Sequence, residues 1–250
     1  MASSVMKVLG GELSLFTARA RLALELRGVP YELVEEPLGP RKSDRLLAAN
    51  PVYGKIPVLL LPDGRAICES AVIVQYLHED ATLHSHSHSQ SAISSRLLPD
   101  DPYERAMHRF WTTFVDDRFW PALDTVSLGP TREARAKALV DARAALQILE
   151  KDAFHFQGRR NSEHLVFFFS GSEEPGLLDV ALGCFLPAIR ACERLHGIVL
   201  VDASATPLLQ RWSDRFAEQP AARTVLPETD KVVHFTKFLQ DKFGVHLSAE

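Results

Sequence analysis

The apolar positions of this chain change period several times, and each change marks an element. VMKVL (5–9) has the character of a short buried strand, and Leu15, Ala18, Leu22 and Leu26 then recur at helical spacing until Gly28 stops the helix. YELVEEPL (31–38) is a second β-rich run. The first 38 residues therefore predict a β-α-β unit with parallel strands, whose helix starts at the carboxyl end of the first strand. Residues 43–49 fit one or two helical turns. PVLLL (57–61) and RAIC (65–68), joined by Pro62-Asp63-Gly64, read as a hairpin and so as an antiparallel pair. Val72, Ile73, Tyr76 and Leu77 mark the apolar face of another helix.

The resulting order over residues 1–80, β-α-β-α-β-β-α, is that of a compact mixed-sheet domain of the thioredoxin type. Residues 81–100 lack apolar periodicity and are rich in Ser and His, which predicts an exposed linker. Alternating Ser and His on an extended chain sets no ligand geometry, so the HSHSHS run is not taken as a metal site, and no metal is expected.

Residues 101–250 are predicted to be all helical, with at least five helices. Asp101 is a cap with Pro102 at the first helical position and Glu104 behind it, and the aromatic run RFWTTFVDDRFW follows. Thr131 opens a helix with Leu139, Ala142, Leu146 and Leu149 on one face. Residues 152–173 form an irregular insert containing VFFF, the one possible strand of this half. GLLDVALGCFLPAIRACERLHG (176–197) reads as a helix kinked at Pro187. TPLLQRWSDRFAEQP (206–220) reads as a helix capped by Thr206, and KVVHFTKFLQDKFG (231–244) as a final amphipathic helix.

Composition removes several classes of function. A hydrophobic share of 46% in 250 residues is ample for a core, and 28 Lys plus Arg against 32 Asp plus Glu give a net charge of −4. No basic stripe with interleaved aromatics occurs, so nucleic acid is not an expected partner. No run approaches the roughly 20 apolar residues of a membrane helix, and MASSVMKVLG lacks the apolar stretch of a signal peptide. A cytoplasmic protein without a membrane partner is expected. Cys68, Cys184 and Cys192 are odd in number and far apart, which indicates free thiols rather than a disulfide framework.

Three short stretches carry candidate chemistry. Ser14 sits where the first strand stops and the first helix begins, and there it either caps the helix or donates a hydrogen bond to an anion held at the helix N-terminus. If that anion is a thiolate, its pKa falls and a nucleophile exists at neutral pH. Neither a G-x-S-x-G elbow nor a histidine partner is present to make Ser14 itself a nucleophile.

Ile56-Pro57 either starts a strand or, in cis geometry, turns its backbone outward for an extended peptide to pair with. Glu69 and Ser70 open a helix as a plain cap or as a site for an α-amino acid head group, the hydroxyl and N–H groups taking the carboxylate and Glu69 the ammonium. Lys42 and Lys55 are either solvated surface or the partners of a second carboxylate.

These stretches together resemble the cytosolic glutathione transferases, and specifically the plant tau class, over essentially the whole chain. The carriers are SLFTARARLAL at Ser14, NPVYGKIPVL before the hairpin, AICESAVIVQYL at the third helix and LLPDDPYERAMHRFW at the start of the second half, in order and at matching separations. The resemblance implies a thioredoxin-like N-terminal domain that binds glutathione and an all-α C-terminal domain that supplies the electrophile pocket. It implies that Ser14 stabilises the glutathione thiolate, that Lys42 and Lys55 contact the glycyl carboxylate, that Ile56 and cis-Pro57 pair with the cysteinyl backbone, and that Glu69 and Ser70 hold the γ-glutamyl head. Phe16, Phe114, Arg118, Phe235 and Leu239 fall at positions similar to those lining the family's hydrophobic site. The expected partners are glutathione as co-substrate, with no resident cofactor, a hydrophobic electrophile and a second copy of the chain as homodimer.

The chain departs from the family pattern in three places. Leu15 stands where the family usually has proline, Gly54 replaces one of two usual basic residues, and the stretches 81–100 and 152–173 are longer than the family norm. The implied activity is conjugation of glutathione to apolar electrophiles, with organic hydroperoxide reduction as a related reaction. A ligandin-like protein that only binds glutathione and hydrophobic ligands is the alternative.

Overall fold

The computed structural model describes residues 5–37, 41–80, 96–154 and 168–245. Strand β1 (Met6–Gly10) runs parallel to β2 (Tyr31–Glu35) and antiparallel to β3 (Val58–Leu60), and β3 pairs antiparallel with β4 (Ala66–Cys68). The sheet order is β2-β1-β3-β4, so the central strands are the two most apolar runs, buried on both faces. Helix α1 (Leu15–Leu26) connects β1 to β2, α2 (Asp44–Ala49) connects β2 to β3, and α3 (Ser70–Glu79) follows β4. The predicted order of elements is the observed one.

Helix α1 ends where Gly28 takes φ 62°, with Val29 N–H donating to Leu24 C=O beyond the left-handed residue. The hairpin turn closes through Gly64 at φ 88°. One face of the sheet packs Leu9 and Val58 against Leu46 of α2, and the other packs α1 and α3.

The second half is helical: α4 (Pro102–Phe114), a π-helical stretch Val115–Phe119, α5 (Trp120–Leu128), α6 (Arg132–Ile148) with a π-helical extension Leu149–Ala153, α7 (Leu177–Gly183), α8 (Leu186–His196), α9 (Pro207–Glu218), α10 (Pro220–Val225) and α11 (Thr229–Phe243). Asp101 caps α4 through the Glu104 N–H and Thr131 caps α6 through the Ala134 N–H, as their sequences predict. Phe168 and Phe169 of the VFFF run lie buried in a bend and turn, with no strand there among the described residues.

Two expectations change. The stretch 176–197 is not one kinked helix but two, broken after Gly183. Pro187 lacks an N–H and its ring would strike the carbonyl of residue 183 in a continuous helix, so it sits instead in the first turn of α8, where neither matters. Thr206 does not cap α9 either. Its hydroxyl closes on Asp202, accepting from N–H at 3.0 Å and donating to C=O at 3.1 Å. The first N–H groups of α9 go to the buried carboxylate of Glu150, from Leu208 and Leu209 at 2.8 Å each.

One hydrophobic core runs without interruption from Val8 and Leu22 under the sheet to Phe119, Phe185 and Trp212 among the helices. The two halves are therefore packed as one body along α1. No helix among the described residues is long and apolar enough to cross a membrane.

A candidate active site where sheet meets helices

Ser14 is the N-cap of α1, with φ −80° and ψ 113°. Its Oγ accepts from Thr17 N–H at 3.2 Å, and its own N–H donates to Gly11 C=O at 3.0 Å. The cap reading of this serine is thus realised, but it uses only the oxygen. The hydroxyl hydrogen is left for an acceptor in the cavity that Ser14 lines, at the positive end of the α1 dipole.

That cavity encloses about 310 Å³ between the N-terminus of α1 and helices α5, α8 and α11. It brings together Ser14, Phe16 and Ile56 from the sheet half with Phe235 and Leu239 from α11. Its floor is an aromatic stack: Phe16 meets Trp120 and Phe185 edge to face at 5.8 and 5.5 Å, while Trp120 stacks on Phe185 at 4.6 Å. Phe114 and Arg118 do not line it. They face a second, more open hollow of about 630 Å³ against α6, beside Ala138 and Asp141. They share one helical stripe with Pro121, Ala122 and Thr125, and that stripe faces α6, whereas Trp120, Leu123, Asp124, Ser127 and Leu128 form the stripe that faces the cavity.

The remaining candidates lie around the C-terminal edge of the sheet. The Ile56-Pro57 bond is cis, and the β1–β3 ladder ends at Val58, so Ile56 lies beyond the paired strand. Asn50 shapes the loop that presents Lys55, its side chain donating to Lys55 C=O at 2.9 Å and accepting from Tyr53 N–H at 3.1 Å. Gly54 in that loop has φ 56°, a left-handed conformation that glycine adopts without strain. Lys42 and Lys55 are exposed. Lys42 lies next to Ser43, whose hydroxyl donates to the buried Glu36 carboxylate at 2.6 Å while Arg45 pairs with the same carboxylate at 2.7 Å.

Glu69 is the one non-glycine residue with positive φ, 69°, among the described residues, and it makes no side-chain cap. Strain of this kind persists where surrounding structure enforces it, and it leaves the Glu69 carboxylate exposed at the start of α3. Ser70 is buried. Its Oγ accepts from Arg19 Nη1 at 3.2 Å. The same guanidinium makes a two-pronged ion pair with Asp116 at 2.8 and 2.5 Å, donates to Ala181 C=O at 3.1 Å, and lies 5.2 and 5.3 Å from the rings of Phe16 and Phe185. Burial works against the charge on Arg19, and the Cys184 sulfur and the Asp116 carboxylate outweigh it, so the guanidinium stays protonated.

The comparisons with known proteins meet this geometry directly. Residues 13–80 match the glutathione S-transferase N-terminal domain family, and residues 132–215 match the glutathione S-transferase C-terminal domain family. A probable glutathione S-transferase of Zea mays, BZ2, is 69% identical over 97% of this chain and 100% of its own length. The chain belongs to the glutathione S-transferase family. Within it the kinship is to the tau class. The tau-class glutathione S-transferase of mango superposes with TM-score 0.81 at 38% identity over 95% of this chain and 100% of that one. A rice glutathione transferase solved in complex with glutathione does so with TM-score 0.81 at 32% identity over 98% of this chain and 100% of that one.

As a glutathione transferase, the chain shows which site residues sequence reasoning overlooks. Trp120, Leu123, Asp124, Ser127 and Leu128 all line the cavity from α5, and Val232 and Thr236 join Phe235 and Leu239 on α11. Both sets recur at helical spacing, so the stripe was visible. What hid its role is that such stripes ordinarily face a core, and only the docking of α5 and α11 around the N-terminus of α1 leaves space between them.

Proposed function

We propose that this transferase conjugates glutathione to apolar electrophiles with Ser14 as the hydroxyl that holds the glutathione sulfur as a thiolate. The observation that carries the reading is that Ser14, at the N-terminus of α1, lines the same cavity as the apolar walls of α5 and α11. A thiolate there meets a hydrogen-bond donor and a helix dipole, and an electrophile against Trp120 or Phe235 is held next to it, so thiol activation and proximity act together. Glu69 with Ser70, the Ile56 backbone, and Lys42 with Lys55 are the groups we assign to the γ-glutamyl head, the cysteinyl backbone and the glycyl carboxylate. Their charges are complementary: one acid for the amine and two cations for a carboxylate.

We also read the protein as a cytoplasmic homodimer. Val52 and Tyr53 are 76% and 62% exposed on the loop before cis-Pro57, and Val72 and Phe110 are exposed on α3 and α4, apolar surface that a second copy would cover.

The test is Ser14→Ala with a generic aryl halide as electrophile. We expect kcat/KM to fall by about 100-fold at neutral pH, and the pH profile to move up toward the ordinary thiol value of about 8.5. An unchanged profile and rate would remove Ser14 from the mechanism. A wild type that binds glutathione and apolar dyes but forms no conjugate would leave the ligandin-like reading.

A further inference from the structure

Among the described residues, the electrophile cavity is lined by one ionisable side chain. Every other lining residue is apolar or carries a hydroxyl, whereas Asp124 brings a carboxylate to the middle of the α5 stripe. It is half-buried, and among the described residues it makes no hydrogen bond or ion pair. The polar group one turn further on is already engaged: the Ser127 hydroxyl meets His196 Nε2 at 3.4 Å and the Cys192 thiol, and its C=O accepts from Gln240 at 2.9 Å. Burial lowers the His196 pKa, with Arg135 adding to it, so that imidazole offers no positive charge. Burial likewise raises the Asp124 pKa, with no counter-charge beside it.

An unanswered carboxylate in an apolar cavity costs free energy unless a ligand answers it. The surroundings say which ligand. Aromatic rings of Trp120, Phe16 and Phe235 lining the same cavity as a carboxylate favour a flat ring system bearing a positive charge, which the carboxylate would pair with and the rings would attract. An anionic ligand would meet both Asp124 and the thiolate proposed at Ser14.

We propose that Asp124 is the specificity-determining residue of this cavity and selects planar aromatic ligands that carry a cationic centre over neutral ones of the same shape. The proposal rests on the reading of this cavity as the electrophile site, but it concerns binding alone and needs no thiolate chemistry.

The probes are an isosteric pair, the 1-methylquinolinium cation and neutral 1-methylnaphthalene, titrated calorimetrically without glutathione into full-length wild type, Asp124→Asn and Asp124→Glu. We expect Asp124→Asn to bind 1-methylquinolinium about tenfold more weakly than wild type, the scale of a contact to a charged group, with 1-methylnaphthalene unchanged. Asp124→Glu should recover most of the cation preference. Equal cation binding by wild type and Asp124→Asn overturns the proposal. So does a parallel loss of both probes, which would report a damaged cavity wall rather than a lost charge. Because glutathione is absent, failure of the Ser14 mechanism would leave these results standing, and their failure would leave the Ser14 test untouched.

Discussion

At the residue scale, Ser14 shows how a cap and the thiolate donor we propose can be the same group. An N-cap needs only the oxygen, which receives the Thr17 N–H, while an anion in the cavity needs only the hydrogen. The neighbour Leu15 occupies the first helical position, where the N–H has no intrahelical partner and proline's lack of one is harmless. Ser14 keeps the extended conformation that a residue before proline would take, so leucine there leaves the hydroxyl where proline would.

His108 makes a different kind of prediction at this scale. It is fully buried in α4, and burial pushes its pKa down to about 4, so it is neutral in the fold and takes up a proton below the usual 6.5 only when unfolded. Its contribution to stability is complete above pH 6.5 and is lost as pH falls toward 4. Between pH 7 and 5 this amounts to about 2 kcal/mol. Asp179 works in the opposite direction, because burial raises its carboxyl to about 6 against the pull of its hydrogen bonds, so the folded state gains relative stability as that group protonates. The quantity to read is therefore the difference between wild type and His108→Gln in urea midpoints at pH 7 and pH 5. The wild type should lose more on acidification by roughly that 2 kcal/mol.

At the scale of elements, the helical half is organised by carboxylates that reach across the chain. Glu150 supplies the cap that Thr206 does not. Asp179, at the third position of α7, accepts from the N–H groups of Gly176, Phe169 and Ser170 and from the indole of Trp212, at 2.9, 2.9, 3.2 and 2.9 Å. It ties the start of α7 to the chain preceding it and to α9. Asp179→Ala leaves several buried donors without a partner, and a loss of about 3 kcal/mol or more is expected in urea unfolding, with the glutathione KM of the surviving fold little changed. The same region shows why residue 183 is glycine: a Cβ there would lie 2.3 Å from the Phe216 ring, so α9 packs closely over the break that Pro187 imposes.

At the scale of the whole molecule, Arg19 is the joint between halves. It belongs to α1, yet its guanidinium is paired with Asp116 in the π-helical stretch, bonded to Ala181 in α7 and to Ser70 at the start of α3. Removing either partner alone leaves a buried charge uncompensated, a loss of about 3–5 kcal/mol, whereas removing both relieves part of it. A double-mutant cycle of Arg19→Met and Asp116→Asn should therefore show a coupling of about 1.5–3 kcal/mol in urea unfolding. The glutathione KM should rise more for Arg19→Met, because only that change also frees the Ser70 hydroxyl. Additive losses would show that the two halves are held by the apolar core alone.

The sequence by itself determined the local outcomes. The order of strands and helices in the first half, the Asp101 and Thr131 caps, the stop at Gly28 and the hairpin at Gly64 each depend on a few neighbouring residues, so periodicity and side-chain chemistry decide them. The same holds for the family resemblance, which is carried by short motifs. Tertiary structure decided whatever depends on distance. The need for glycine at 183 comes from Phe216, the cap of α9 needs Glu150, and Arg19 becomes a joint only when Asp116 is brought to it. Phe114 and Arg118 lie on the stripe that α6 faces, and only the packing of the helices shows which of the two stripes meets the cavity. Asp124 is the sharpest case. In the sequence it is one acid on a helical stripe, and only the packing of α5 and α11 around Ser14 makes it the single ionisable group facing the cavity among the described residues.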